Sequence, residues 1–119
     1  MSVSYFVRYE GAAENEPEFL RYYREHHAPI LARFPGIRSI VLHTPVEWQD
    51  KFPVKPDRFT LLAQMVFDSA EDLARALQSE ARAEAREDFG RFPRFEGTVW
   101  HQATVSEAVG QALENGGLW

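Results

Sequence analysis

The sequence predicts an α+β domain of order βαββαβ, two β-α-β units in succession, and three observations carry that prediction. Apolar and polar residues alternate with a period of two near both ends, in SVSYFVRY and in GTVWHQATV, as in strands with one buried face. Two stretches of helical period follow capping residues, at Asn15 and at Ser69. Between them lies FTLLAQMVF, apolar almost throughout and short enough for a strand buried on both faces.

The first strand is expected over Ser2 to Tyr9, with Val3, Tyr5, Val7 and Tyr9 on one face and Ser4, Phe6 and Arg8 on the other. The polar run EGAAEN reads as a connection. Asn15 then caps a helix, with Pro17 in its first turn and Glu16 and Glu18 near its positive end. This helix is expected to run to about Phe34, where Pro35-Gly36 stops it and Ile37 to Thr44 forms the second strand. The segment PVEWQDKFPVKPD, with its prolines and mixed charge, is a loop. Phe59 to Phe67 is the third strand. Ser69, followed three residues later by Asp72, opens a helix whose Leu73 and Leu77 share a face. The Ala- and Glu-rich SEARAEAREDFGRF either extends this helix or forms a short one of its own before Pro93. Gly97 to Val105 is the fourth strand. Residues 1–105 are thus read as one domain and 106–119 as a C-terminal tail. In the tail Val109, Leu113, Leu118 and Trp119 give an apolar pattern, either a frayed terminus or a segment that docks on a partner subunit.

The split βαβ order is that of a ferredoxin-like fold, a four-stranded antiparallel sheet with helices on one side. Large apolar groups on both faces of the third strand then leave one sheet face without cover. A second copy of the sheet, packed face to face, would supply it, so a homodimer forming an α/β barrel is expected.

Composition narrows the function. In a chain of 119 residues, 13 Lys and Arg against 18 Asp and Glu give a net charge of -5, without the cationic cluster that a nucleic-acid partner needs. The absence of cysteine removes disulfides, thiolate nucleophiles and sulfur metal sites, and fits a cytoplasmic protein. No segment reaches the ~18 apolar residues of a membrane span, so no membrane partner is expected. G-x-S-x-G, phosphate-loop and dinucleotide glycine patterns are missing, which argues against serine hydrolysis, phosphoryl transfer and Rossmann-type NAD binding. The histidines have no compact ligand spacing, so no metal site is expected.

The stretch YYREHHAPILARFPGIRSIV resembles the signature of EthD-domain proteins, a branch of the dimeric α/β-barrel superfamily: an aromatic pair, a His-Ala-Pro step and a Pro-Gly leading into a strand. FTLLAQMVFDSAEDLARALQSE is similar to the family's strand, Ser-capped helix and Ser-Glu step, and Asp88 with Phe92 to its later Asp-to-Phe element. The resemblance covers roughly residues 3–103, but not the loop Pro45 to Asp57 or the tail. It implies the dimeric barrel and a mostly apolar pocket in each protomer. It does not imply one reaction, because the superfamily includes isomerases, cofactor-free monooxygenases, dehydratases and haem-binding proteins.

On a wheel of ~100° per residue, Leu20, Tyr23, His27, Ile30, Leu31 and Phe34 share one arc of the first helix, so His27 faces the sheet and His26 lies at the rim. His27 is either a hydrogen-bonded core histidine beside the carbonyls that Pro29 leaves without donors, or a general acid or base at a pocket. Asp88 either closes a helix or loop end or orients a histidine as its carboxylate partner. Arg8 is either exposed at a strand edge or an anion anchor. Gln64, the polar residue inside the third strand, must find a partner or reach a cavity. In the last strand either the Trp100 and Gln102 face or the Val99, His101 and Ala103 face lines the cavity.

The expected function is that of a small-molecule-binding protein acting on a small hydrophobic or cyclic metabolite in a catabolic pathway. The chemistry would be proton transfer or oxidation, of isomerase or monooxygenase type, with no cofactor. His27 and Asp88 are its candidate catalytic residues, and Phe6, Arg8, Tyr23, Gln64, Phe67, Trp100 and His101 its candidate binding residues. The alternative is a non-catalytic ligand- or haem-binding accessory protein, since a single axial histidine leaves little trace in a sequence.

Overall fold

The computed structural model describes residues 1–110; the expected docking of Leu113, Leu118 and Trp119 lies outside the described residues. The elements follow in the order β1 (Ser2–Ala13), α1 (Glu16–Tyr22), a π-helical stretch (Tyr23–His27), α2 (Ala28–Leu31), β2 (Ile37–His43), β3 (Leu61–Phe67), α3 (Ala70–Leu77), α4 (Glu80–Phe89) and β4 (Phe95–Ser106). The strands form one antiparallel sheet in the order β2-β3-β1-β4, so the fold is ferredoxin-like.

Strand alternation sorts the sheet into two faces. Val3, Tyr5, Val7 and Tyr9 of β1 meet Leu61, Ala63, Met65 and Phe67 of β3 beneath the helices, and all are buried. Their neighbours Phe6, Arg8, Leu62, Gln64 and Val66 point the other way and are half-buried, with Val41 and Trp100 beside them 40% and 53% exposed. The third strand is therefore sealed on one face only, and the second face stays open in the single chain.

β1 and β4 run longer than the alternation suggested, because Glu10 to Ala13, read as a connection, pairs with Thr98 to Phe95. Gly11 and Gly97 sit opposite one another there. A Cβ on Gly97 would come 2.0 Å from the Glu10 carbonyl oxygen and one on Gly11 2.2 Å from that of Glu96, at φ +149° and +138°. Only glycine fits at this crossing.

Asn15 caps α1 through the Glu18 amide at 3.1 Å, and Ser69 caps α3 through the Asp72 amide at 3.1 Å, both as expected. The single long first helix is corrected. Its middle turn is π-helical, with the Ala28 amide donating to the Tyr23 carbonyl. The next residue, Pro29, offers no amide and would press its ring on the carbonyl four residues back, and widening the turn relieves both problems. The wide turn also changes what is buried. At ~100° per residue a spacing of four drifts by about 40° each step, and a π-helical turn of more than four residues reverses the drift. Phe19, Tyr23, His27 and Leu31 thus stay on one buried face, while Leu20, expected there, is half-buried. The charged run after Gln78 is a separate helix, α4, because the Ser79 side chain accepts from the Arg82 amide and starts a new one.

Candidate functional site

The π-helical turn sets His27 against α4. Its side chain is 8% exposed, and Nδ1 donates to Asp88 Oδ2 at 2.9 Å. The other Asp88 oxygen accepts from the Tyr22 hydroxyl at 2.7 Å. Phe92 closes one side of the imidazole edge-on, with ring centres 4.7 Å apart, and Tyr23 lies 4.9 Å away on another. Asp88 is a buried carboxylate supplied by the last turn of α4, whose inner face is otherwise Ala81 and Ala85.

Opposing effects fix the charge states. Burial pushes the His27 imidazole below its ordinary value and Asp88 restores only part of it, so the neutral ring is favoured. Burial pushes the Asp88 carboxyl up, but the hydrogen bonds from His27 and Tyr22 outweigh it and hold the group below the usual carboxylate range. A neutral imidazole that donates from Nδ1 to a carboxylate keeps a lone pair on Nε2. Among the described residues Nε2 has no hydrogen-bond partner, and no unpartnered side-chain nitrogen or oxygen is sealed from solvent.

His27 lines a pocket between the helices and the helix-side face of the sheet. Tyr5, Tyr9, Tyr23, Met65, Phe89 and Val99 give it apolar walls, while Arg82, Arg86 and His101 give it polar ones. The pocket is narrow. It offers about 40 Å³ of free room, enough for roughly three waters at ~10–15 Å³ each. The Tyr5 hydroxyl and His101 Nδ1 share a hydrogen bond of 2.7 Å at its edge. Burial, and then the charges of Arg82 and Arg86, lower the His101 imidazole, so this ring also favours its neutral form. Burial raises the Tyr9 and Tyr23 phenols well above their ordinary value, which keeps both protonated.

The structure brings His27, Asp88, Tyr23 and His101 together and sets the other expected site residues apart. Phe6, Arg8, Gln64 and Trp100 lie on the open face, where the sheet separates them from this pocket, because β1 and β4 alternate in register with Val7 and His101 facing the helices. Arg8 Nε donates to Asp57 Oδ2 at 3.1 Å, which ties the long loop to that face. Gln64 finds partners rather than a cavity: it donates to Ser4 Oγ at 3.1 Å and accepts from His43 Nε2 at 3.0 Å. Trp100 Nε1 donates to Glu10 at 2.6 Å. Phe67 is wholly buried on the helix side but does not line the pocket. Arg82 and Arg86 escaped the sequence reading because the charged run looked like a solvated helix face. The available signal was the spacing of Ala81, Ala85 and Asp88, a stripe at i, i+4, i+7 that places both arginines at its border.

No group of three or more His, Asp or Glu able to hold a metal ion occurs among the described residues, and none of their helices is long and apolar enough to cross a membrane.

A family model described as the EthD domain matches residues 13–95. No curated protein matches the chain. Among solved structures, an ethyl tert-butyl ether D (EthD) family protein from Bacillus halodurans is similar at 22% identity and a TM-score of 0.69, over 90% of this chain and 100% of that one. A cofactor-independent oxygenase from Streptomyces nogalater, SnoaB, is similar at 18% identity and 0.60, over 91% and 95%. A dimeric protein of unknown function and ferredoxin-like fold from Bacteroides fragilis is similar at 11% and 0.58, over 87% and 94%. At these identities the likeness is one of fold.

Proposed function

This chain belongs to the EthD-domain family, and on that footing we propose that it is a cofactor-free enzyme of the cytoplasm. In this reading His27 removes a proton from a small, largely apolar cyclic metabolite in a catabolic pathway. The observation that carries the proposal is the His27–Asp88 pair at 2.9 Å, which leaves Nε2 without a partner in a ring that lines a pocket walled by aromatic residues. Nε2 takes a proton from a carbon or hydroxyl whose anion is delocalised, and the imidazolium that results is stabilised by the adjacent Asp88 carboxylate. Returning the proton at another carbon gives an isomerisation. Reaction of the anion with dioxygen gives an oxygenation, and the similarity to a cofactor-independent oxygenase supports that branch. Ligand entry requires the pocket to widen, since its room of about 40 Å³ is narrow.

The open sheet face, with Val41 and Trp100 exposed beside Phe6 and Leu62, is proposed to pack on the same face of a second copy. The dimeric protein of like fold supports a dimer. Phe6, Arg8, Gln64 and Trp100 then belong to the subunit interface and not to the His27 pocket.

Deuterium wash-in from heavy water, followed by NMR over a panel of cyclic β-diketones and phenols, reads the proton transfer without knowledge of the product. The intact protein is expected to accelerate exchange at one position of a panel member and His27→Gln to abolish it. Equal acceleration by a folded His27→Gln protein rules the base out. The close packing of His27 on Tyr23 and Phe92 favours a second reading, an accessory protein that holds a hydrophobic ligand or haem, with His27 structural. A Soret band on haem titration, lost on removal of one histidine, together with no wash-in, would select it.

A further inference from the structure

The pocket carries charge that proton transfer to His27 does not use. Arg82 and Arg86 stand one turn apart on α4 and line the same pocket as His27 and His101. Neighbouring arginines are neutralised, Arg33 by Glu84 at 2.7 Å and Arg91 by Glu87 at 3.3 Å. Among the described residues no carboxylate lies within salt-bridge distance of Arg82 or Arg86. Each instead lies over an aromatic ring, Arg82 at 5.7 Å from the centre of Tyr5 and Arg86 at 5.7 Å from that of Phe89. In a chain of net charge -5, two unpaired guanidiniums on one apolar pocket form a local positive field.

We propose that the pocket, widened beyond its present room of about 40 Å³, takes a planar aromatic molecule bearing a carboxylate, its ring between the tyrosine and phenylalanine walls and its carboxylate on Arg82 and Arg86. A guanidinium offers a carboxylate two parallel N–H donors, and a partly desolvated site strengthens the pairing relative to water. His101 favours its neutral form beside the two cations, so the pocket's positive charge is that of Arg82 and Arg86. The Tyr9 and Tyr23 phenols remain protonated, so no anion of the protein opposes the ligand from the pocket's floor. The nearest carboxylate in the site, Asp88, is turned to His27 and Tyr22. The inference rests on the His27 pocket as the functional site, but it does not need His27 to move a proton.

Calorimetric titration of the full chain with 2-naphthoate and with 2-naphthamide separates the charge from the ring. The wild-type protein is expected to bind the acid about tenfold more tightly than the amide, a gap of about 1.4 kcal/mol, and the gap should narrow at high salt. The R82Q/R86Q variant is expected to bind both alike. These positions sit at or near the surface, so the variant should keep its fold, which circular dichroism checks. His27→Gln should keep the preference for the acid, so a failed base and a failed anchor give different results. Equal affinity for acid and amide in the wild type, no binding of either, or a preference that survives in R82Q/R86Q would each overturn the inference.

Discussion

His27 and Asp88 meet at 2.9 Å although 61 positions separate them in the chain. The contact closes the π-helical turn onto the last turn of α4, and it decides which imidazole nitrogen is free. Because the ionised carboxylate can only accept, Nδ1 must carry the proton and Nε2 the lone pair. The same two residues therefore join helix packing to the chemistry proposed for the pocket.

Asp88→Asn removes the charge but keeps the shape. An amide can donate to Nδ1 as easily as accept from it, so the tautomer is no longer fixed and the imidazolium loses its counter-charge. Turnover is expected to fall by about 10²-fold or more, with KM little changed. The acid limb of the pH–rate profile should move to lower pH, because Asp88 raises the His27 imidazole and burial alone would then act. Steady-state kinetics across pH on a substrate found by the wash-in panel checks both effects.

Acid should unfold the protein in a defined sense. Burial lowers the His27 imidazole from 6.5, so its contribution is present above about pH 6.5 and is lost as pH falls through its lower folded value. The Asp88 carboxyl is held below 3.8 despite burial, so its contribution is present above about pH 4 and is lost on further acidification. Both terms make stability rise with pH over the acid range. Urea midpoints measured between pH 4 and 7 should increase, and His27→Gln should flatten the upper part of that rise.

Gly97→Ala tests the crossing of β1 and β4. The added Cβ would sit 2.0 Å from the Glu10 carbonyl at a φ of +149°. Either the strands separate or the backbone takes strain, at about 1–3 kcal/mol. A lowered Tm by calorimetry checks it, and an unchanged Tm would mean that the crossing is looser than described.

Val41→Glu places a charge in the middle of the open sheet face, opposite Gln64. If that face joins two copies, burying an unpaired carboxylate should shift the dimer to monomer at micromolar concentration without unfolding it. Sedimentation velocity reads the change; a monomeric wild-type protein would contradict the proposed dimer.

Much of this fold was legible because its signals are local. Alternation in SVSYFVRY, the caps at Asn15 and Ser69 and the Pro-Gly stop at 35 and 36 each act over a few residues, and the topology follows from their order. The pairing of Glu10 to Ala13 with β4 was not legible, since its glycines read as breakers until a facing strand requires them. The wheel placed Tyr23 and His27 inward but misplaced Leu20, because it assumes one period and Pro29 imposes a wider turn. For the site, Asp88 was reachable through its motif resemblance and His27 through its stripe. The face of β4 was not, because alternation gives two sets of residues and only the helices decide which set is covered. Arg82 and Arg86 were hidden by their own charge, which near an apolar stripe reads as solvent.

The central claim is that His27 carries its proton on Nδ1 and offers Nε2 to the pocket, and nitrogen-15 NMR of the imidazole ring tests it most directly. At pH 7 the His27 resonances are predicted to be those of the neutral Nδ1–H tautomer, with a titration midpoint below 6.5 that falls further in Asp88→Asn. An imidazolium at pH 7, or a neutral ring protonated on Nε2, would contradict the account.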